Sequence, residues 1–273
     1  MRRCKPLLGT YVEISIENRN GDKAIQHAFD RIEKVQQLMS FHDSQSELSK
    51  INTQAHCKSI RIHPWTACIL RIAQDLHTHS SGLFNCGIGH RLIAAGLLPS
   101  HIDISSYDIG GIEDLYFIDH DRVSSVRPIC LDLGGIAKGF AVDEAVKALV
   151  EEGVSWGTVN AGGDLRVFGN KPQTIYIRNP KVPSHLIELG SLSNGAIATS
   201  ALYFSKRDRQ ASHIINPLIQ TSSSMPEQLS GSYSVLAKEC VYADALTKVL
   251  ALSRQQHHPC FARYGAQAIE ITL

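Results

Sequence analysis

Apolar positions recur along this chain with two periods, and the change from one to the other predicts the elements. Leu7 to Glu17 alternates imperfectly around Tyr11, Val12, Ile14 and Ile16, the two-residue period of a strand. Asn20-Gly21-Asp22 marks a turn and a helix cap. From Ala24 to Met39, the residues Ile25, Ala28, Phe29, Ile32, Val35, Leu38 and Met39 fall at helical spacing. The polar run Ser40 to Glu47 breaks that pattern ahead of a short helical piece through Leu48 and Ile51. Pro64 suits the first turn of a helix carrying Ala67, Ile69, Leu70, Ile72, Ala73 and Leu76, and Ser81-Gly82 stops it.

Residues 85–113, rich in Gly, Ser and Asp, show no readable period. A hairpin follows, Leu115 to Ile118 and Val123 to Val126 around a turn at Asp119 to Arg122. Leu131-Asp132-Leu133 enters a glycine turn, after which Phe140, Val142, Val146, Leu149 and Val150 fall near one helix face that Gly153 terminates. Thr158-Val159-Asn160 enters a second glycine turn, Ala161-Gly162-Gly163-Asp164, and a strand from Leu165 to Phe168. Short strands are expected at 174–178, 186–189, 195–199 and 233–238, a helix from Tyr242 to Leu252 and a closing strand from Ala266 to Ile271. Strands outnumber helices and alternate with them irregularly, which predicts an α+β fold. No internal repeat is present, Thr221 to Ser232 is the only compositionally loose segment, and no domain boundary is legible.

Composition narrows the function. With 273 residues, 43% of them apolar, the chain can bury a sizeable core. Its 27 basic and 26 acidic residues leave a formal charge of +1, so no basic field exists to attract nucleic acid or an anionic membrane. Seven cysteines without a Cys-x-x-Cys pair suit a reducing compartment and mostly buried thiols. The basic start, MRRCKPLLGT, runs directly into a strand pattern, and no apolar run approaches the roughly 20 residues of a membrane span. The expectation is a cytoplasmic protein without a membrane anchor.

Four places carry candidate chemistry. In LDLGGIAKGFAVDEAVKAL, residues 131–149, Gly134 and Gly135 permit a close backbone approach and Lys138 stands ready as a point charge. The segment reads equally as a turn that needs glycine beside a solvated lysine. Gly162-Gly163-Asp164 is either a sharp turn held by Asp164 or a second close approach to a planar group or phosphate. His213, in SHIINP, is either a partly buried structural histidine or an acid–base group beside Asn216 and Pro217. Asp244 and Lys248 lie four apart on one helix face. They form an ordinary surface pair worth about 0.2–0.5 kcal/mol, or Asp244 holds a divalent cation near phosphate. In the second case the Lys248 ammonium either repels that cation or replaces part of its charge. His77 and His79, and the pair His257-His258, read as surface residues, and neither HExxH nor a legible Ser-His-Asp order occurs.

Taken in order, LLGTYVEI, MSFHDSQSELSKIN, SGLFNCGIG, LDLGGIAKGFAVDEAVKAL, VNAGGDLRVFG, NGAIATS, SHIINP and ADALTKVL resemble the ApbE family of FAD:protein FMN transferases over nearly the whole chain. The resemblance implies one catalytic domain over residues 1–273, built as two tightly packed lobes with a central cofactor cleft. It implies FAD as donor, transfer of its FMN portion to a Ser or Thr hydroxyl of an acceptor protein, release of AMP, and Mg²⁺. By the same likeness Phe41, Leu83, Phe84 and Asn85 correspond to flavin-contacting positions. Asp132 and Lys138 correspond to an FAD-contacting loop, with Gly162, Gly163 and Asp164 joining the cofactor set. The Gly135 carbonyl and Asp244 correspond to metal ligands, and His213 to the histidine near the reaction centre.

The chain departs from that pattern at several points. Lys248 stands where the family carries a metal-binding Thr, and Thr247 is one residue early, a rotation of about 100° on a helix. Phe84-Asn85-Cys86-Gly87 replaces Phe-Asp-Pro-Thr, Ser200-Ala201 replaces Ser-Gly, and Leu8 replaces Met. Three readings follow: a transferase with altered metal use, a flavin- or nucleotide-binding relative without transfer, and a scaffold that binds no flavin.

Overall fold

A computed structural model describes residues 1–17, 21–103, 108–182, 184–201, 214–219 and 231–271. The chain opens with strands β1 (Arg2–Leu7) and β2 (Thr10–Ile16), then helices α1 (Asp22–Met39) and α2 (Glu47–Gln54). Strand β3 (Ile60–Arg61), helices α3 (Pro64–His79) and α4 (Gly89–Ala94), a 3₁₀ turn at Ile112–Asp114, and strands β4 (Leu115–Phe117) and β5 (Arg122–Ser125) follow. Helix α5 (Ala137–Glu151) leads to β6 (Gly157–Ala161), β7 (Asp164–Phe168), β8 (Gln173–Arg178), β9 (Leu186–Leu192) and β10 (Gly195–Ala201). The last elements are β11 (Ser232–Ala237), α6 (Cys240–Ser253), α7 (Pro259–Arg263) and β12 (Gln267–Ile271). The described residues fall into two compact units, one drawn from Met1–Gln36, Lys138–Arg207 and Leu229–Leu273, the other from Gln37–Ala137 and Asp208–Gln228.

The first unit is built on a seven-stranded sheet in the order β1-β2-β6-β7-β10-β11-β12, antiparallel at every pairing. In β2 the alternation is physical: Val12, Ile14 and Ile16 are buried while Tyr11 is 73% exposed. The expected single strand from Leu7 is instead a hairpin. Leu8 (φ 55°) and Gly9 (φ 70°) make its turn, and β1 precedes it. The charged run Arg2, Arg3 and Lys5 hides β1 from a hydrophobicity reading because β1 is an edge strand, where charge is tolerated. Helix α6 packs on β7, β10 and β11. Both α5 and α6 are buried almost all round, which explains their dense apolar sequences. Val150, expected on the apolar face of α5, is 55% exposed, since the helix ends one residue later. A two-stranded ribbon, β8–β9, encloses Ile175 and Ile177 with Val167 and Ile197.

In the second unit β3, β5 and β4 form a small antiparallel sheet, with the β4–β5 hairpin as expected. Pro64 opens α3, whose N-terminus is capped by the His63 ring, and Ser81 and Gly82 end it with positive φ. Ser46 caps α2 by accepting from the Ser49 amide. Helix α4 lies in the stretch that showed no period. At six residues, α4 is too short to establish one, as is five-residue α7, started by the His258 ring and Pro259. Among the described residues, no helix is long and apolar enough to cross a membrane.

Candidate active site

Helices α5 and α6 of the first unit meet at their N-termini, where backbone amides have no partner within the helix. Asp143 of α5 accepts from the Cys240 amide on Oδ1 and the Val241 amide on Oδ2, both at 2.9 Å. Asp244 of α6 returns the contact, with Oδ2 accepting from the Gly139 amide at 3.1 Å. The helices approach so closely that a Cβ on Gly139 would lie 2.3 Å from the Cys240 carbonyl oxygen and 2.9 Å from the Asp244 Cβ. Gly139 is therefore required by packing.

This reciprocal arrangement places a charge cluster at the start of α5. The Lys138 ammonium lies 2.5 Å from Asp164 Oδ2 and 3.5 Å from Asp244 Oδ2. The Lys248 ammonium pairs with Asp244 Oδ1 and also donates to the Asp244 backbone carbonyl at 2.9 Å. Asp164 and Asp244 are 4% and 1% exposed, so these are not surface pairs. The carboxylate of Asp164 arrives by the shortest hairpin available. Ala161 pairs with Asp164 across a two-residue turn, and Gly162 (φ 61°) and Gly163 (φ 108°) supply the positive φ at both central positions. The Asn160 side chain accepts from the Gly163 amide at 2.9 Å.

Electrostatics divide the cluster. Burial opposes the charged form of Lys138, but Asp164 and Asp244 outweigh burial and hold its ammonium above the ordinary lysine value. Burial, joined by the Asp244 charge, pushes Asp164 up despite Lys138. For Asp244 burial acts the same way, yet Lys138, Lys248 and the Gly139 amide win and pull it below the usual carboxylate range. The site thus holds an ammonium that stays protonated and a carboxylate that stays ionised.

The other expected site residues are placed as follows. Phe41, in the second unit, is buried and meets the His101 ring edge-on at 5.2 Å. Leu83 is half-buried, and buried Phe84 offers its carbonyl to His77 Nδ1 at 3.1 Å. Asn85 organises its loop: Oδ1 accepts from the Gly87 amide at 2.7 Å and the Ile112 amide at 3.3 Å, while Nδ2 donates to Glu113. Asp132 is half-buried and accepts from the Gly134 amide at 3.2 Å, with Gly135 in the turn before α5. His213 lies outside the described residues. The structure therefore unites Lys138, Asp164 and Asp244 and adds Lys248. Asp143 and its partner Arg166 were not picked out in the sequence, although an Asp among Phe140, Val142 and Val146 on an apolar helix is a visible signal of a buried charge.

A divalent cation takes oxygen donors, and Mg²⁺ demands near-octahedral ones. Here Asp244 Oδ1 faces an ammonium, and Oδ2 faces an amide and a second ammonium. Nor does Thr247 supply a neighbouring oxygen. Its hydroxyl donates to the Asp244 carbonyl at 2.7 Å and meets the Ser200 hydroxyl at 2.8 Å, on β10. This donor set does not fit a divalent metal.

Residues 8–272 match the family model of the ApbE family. The chain belongs to the ApbE family. A Vibrio cholerae protein named FAD:protein FMN transferase is 28% identical over 272 residues, spanning 92% of this chain and 80% of that protein. Another of the same name, from Rhodobacter capsulatus, is 29% identical over 242 residues, spanning 82% of this chain and 45% of that protein. The solved flavin transferase ApbE of Vibrio cholerae superposes with a TM-score of 0.83 at 26% identity, covering 100% of this chain and 93% of its own. The mixed helix and sheet architecture expected from the sequence is that of ApbE flavin transferases. Within that architecture, this ApbE chain has Lys248 bound to Asp244.

Proposed function

We propose that this chain transfers the FMN portion of FAD to a Ser or Thr hydroxyl of an acceptor protein and releases AMP. The carrying observation is the ApbE family match over residues 8–272, with relatives named FAD:protein FMN transferase. The acceptor oxygen attacks the phosphorus on the FMN side of the pyrophosphate. A new P–O ester bond forms, the P–O bond to the bridging oxygen breaks, and AMP leaves with that oxygen. The hydroxyl proton passes to a base. Such a displacement needs positioning and neutralisation of charge on the phosphoryl oxygens more than covalent help from the protein.

Lys138 and Lys248 are the groups suited to that neutralisation, and the ionised Asp244 orients both. Asp164 fixes the Lys138 ammonium. On the family resemblance, Phe41, Leu83, Phe84, Asn85, Asp132, Gly162 and Gly163 contact the cofactor, and His213 takes the hydroxyl proton or orients the acceptor. The resemblance also implies Mg²⁺ on Gly135 and Asp244, but the donors around Asp244 do not suit it, and no step is assigned to it. A cytoplasmic acceptor is part of the same proposal.

Mass spectrometry of Ser/Thr-containing acceptor proteins incubated with the chain and FAD tests this reading. The expected result is an acceptor carrying FMN and one AMP released per modification, both lost with Lys138→Met. FAD retained by the protein with no AMP and no modified acceptor, across a range of divalent metals, would instead establish a flavin-binding relative.

A further inference from the structure

We propose that Lys248 is a built-in cation: its ammonium stands at Asp244 in place of a divalent metal, and FAD turnover needs no such metal. The inference deepens the transferase reading and rests on it for the turnover half alone.

Geometry gives the first support. Asp244 is almost wholly buried, and its two oxygens are shared among the Lys248 ammonium, the Lys138 ammonium and the Gly139 amide. A metal at Oδ1 would have to displace the Lys248 ammonium, which α6 itself places there because positions 244 and 248 lie over one another, and a metal at Oδ2 would meet the Lys138 ammonium of α5 and the Gly139 amide. Thr247, the hydroxyl nearest in sequence, is already bonded to the Asp244 carbonyl and to Ser200. Bringing that hydroxyl to the place that Lys248 holds over Asp244 would require turning α6 by about a residue's rotation.

Charge gives the second support. Among the described residues Lys138 and Lys248 balance Asp164 and Asp244 in formal charge, so that set is neutral without an ion. Adding a divalent cation would leave a double positive charge in a poorly solvated place, where charge is costly. Lys248 also has capacity to act on a ligand. An ammonium carries three donors, and Asp244 takes two through Oδ1 and its backbone carbonyl. Among the described residues the third donor has no partner, and the side chain of Lys248 is 20% exposed against 1% for Asp244. A phosphoryl oxygen is the chemistry that such a donor recognises.

The test uses the full chain and has two independent readouts. Electron paramagnetic resonance with Mn²⁺ as probe reports metal uptake directly, with and without FAD, against FAD alone. FMN transfer in the presence of a chelator reports dependence on metal. The native chain is expected to take up no Mn²⁺ beyond that held by FAD, and to transfer FMN equally with chelator or added Mg²⁺. Lys248→Thr, which restores an oxygen donor, is expected to gain Mn²⁺ uptake and to transfer only with metal. Lys248→Met is expected to lose roughly 100-fold or more in transfer, with no rescue by Mg²⁺. Stoichiometric Mn²⁺ uptake by the native chain that Asp244→Asn abolishes overturns the proposal, as does chelator-sensitive transfer restored by Mg²⁺, whereas uptake that Asp244→Asn leaves intact and Asp121→Asn removes lies at Asp119, His120 and Asp121. Should no condition yield transfer, the transferase reading fails, and Mn²⁺ uptake compared between the native chain and Asp244→Asn still decides what occupies Asp244. Both native-chain measurements stand even if a variant fails to fold.

Discussion

Asp143 and Asp244 do the same backbone work in opposite directions, and they differ in the cation that faces them. Each is buried on one of two touching helices and accepts from first-turn amides of the other. Among the described residues Asp143 is matched by one guanidinium, Arg166, and burial dominates, so its carboxyl is raised. Asp244 is matched by two ammonium groups, which overcome burial and pull it down. The Arg166 guanidinium donates to Asp143 through one nitrogen and keeps a buried Nε without a partner among the described residues, whereas the Lys248 ammonium donates to Asp244 twice, at Oδ1 and at the backbone carbonyl. One helix junction thus holds two buried carboxylates that differ in their countercharges.

The largest loss of stability is expected at Asp143. Asp143→Ala leaves Arg166 with a buried charge and the α6 amides uncapped. Removing one partner of a buried pair costs about 3–5 kcal/mol. Urea unfolding should show that loss, and a loss below about 1 kcal/mol, the size of an exposed pair, would sink the structural role. Asp244→Ala should lose less stability, because Lys138 keeps Asp164. Its loss falls on chemistry instead: FMN transfer should drop roughly 100-fold or more, measured as AMP release. Gly139→Ala strikes both sides of the junction through the Cys240 carbonyl and the Asp244 Cβ. Overpacking of this kind costs about 1–3 kcal/mol, and the thermal midpoint should fall with it.

Acid separates the two carboxylates by sign. Asp244 has a depressed folded value, so its contribution is present above the unfolded carboxylate value of about 4 and is lost as pH falls through the lower folded value. Asp143 has a raised folded value, so its ionisation removes stability as pH rises from about 4 through that value. Unfolding free energies across acid pH for Asp244→Asn and Asp143→Asn, each subtracted from the native chain, should slope in opposite directions. Parallel slopes would show that the countercharges do not distinguish the sites.

The legibility of this molecule follows the range of the interaction. Helix α3 and the β4–β5 hairpin could be read because Pro64, the apolar spacing and the polar turn are local signals. The Asp244–Lys248 contact was equally legible, since helical geometry alone sets it. Strand β1 was hidden by its arginines, and α7 by its brevity. The Lys138–Asp164 pair spans 26 residues and exists only because β6 and β7 return Asp164 toward the start of α5. No period in the sequence announces such a pair. Asp143 stood in plain view, but its meaning depended on α6 and Arg166, which reach it from 97 and 23 residues away.

The smallest effect is expected at Ser200, the partner of Thr247 on β10. The Thr247 hydroxyl has one contact inside its own helix and one across to β10 through Ser200. Ser200→Ala removes the second and leaves the first, costing about 1 kcal/mol, as one hydrogen bond does. The thermal midpoint should move by a few degrees at most, and Mn²⁺ uptake should remain absent, because Lys248 still holds Asp244 Oδ1. If Ser200→Ala alone opened the site to Mn²⁺, the hydroxyl pair rather than the lysine would be what keeps metal out. Exclusion of metal from Asp244 would then belong to β10 and not to the cation on α6.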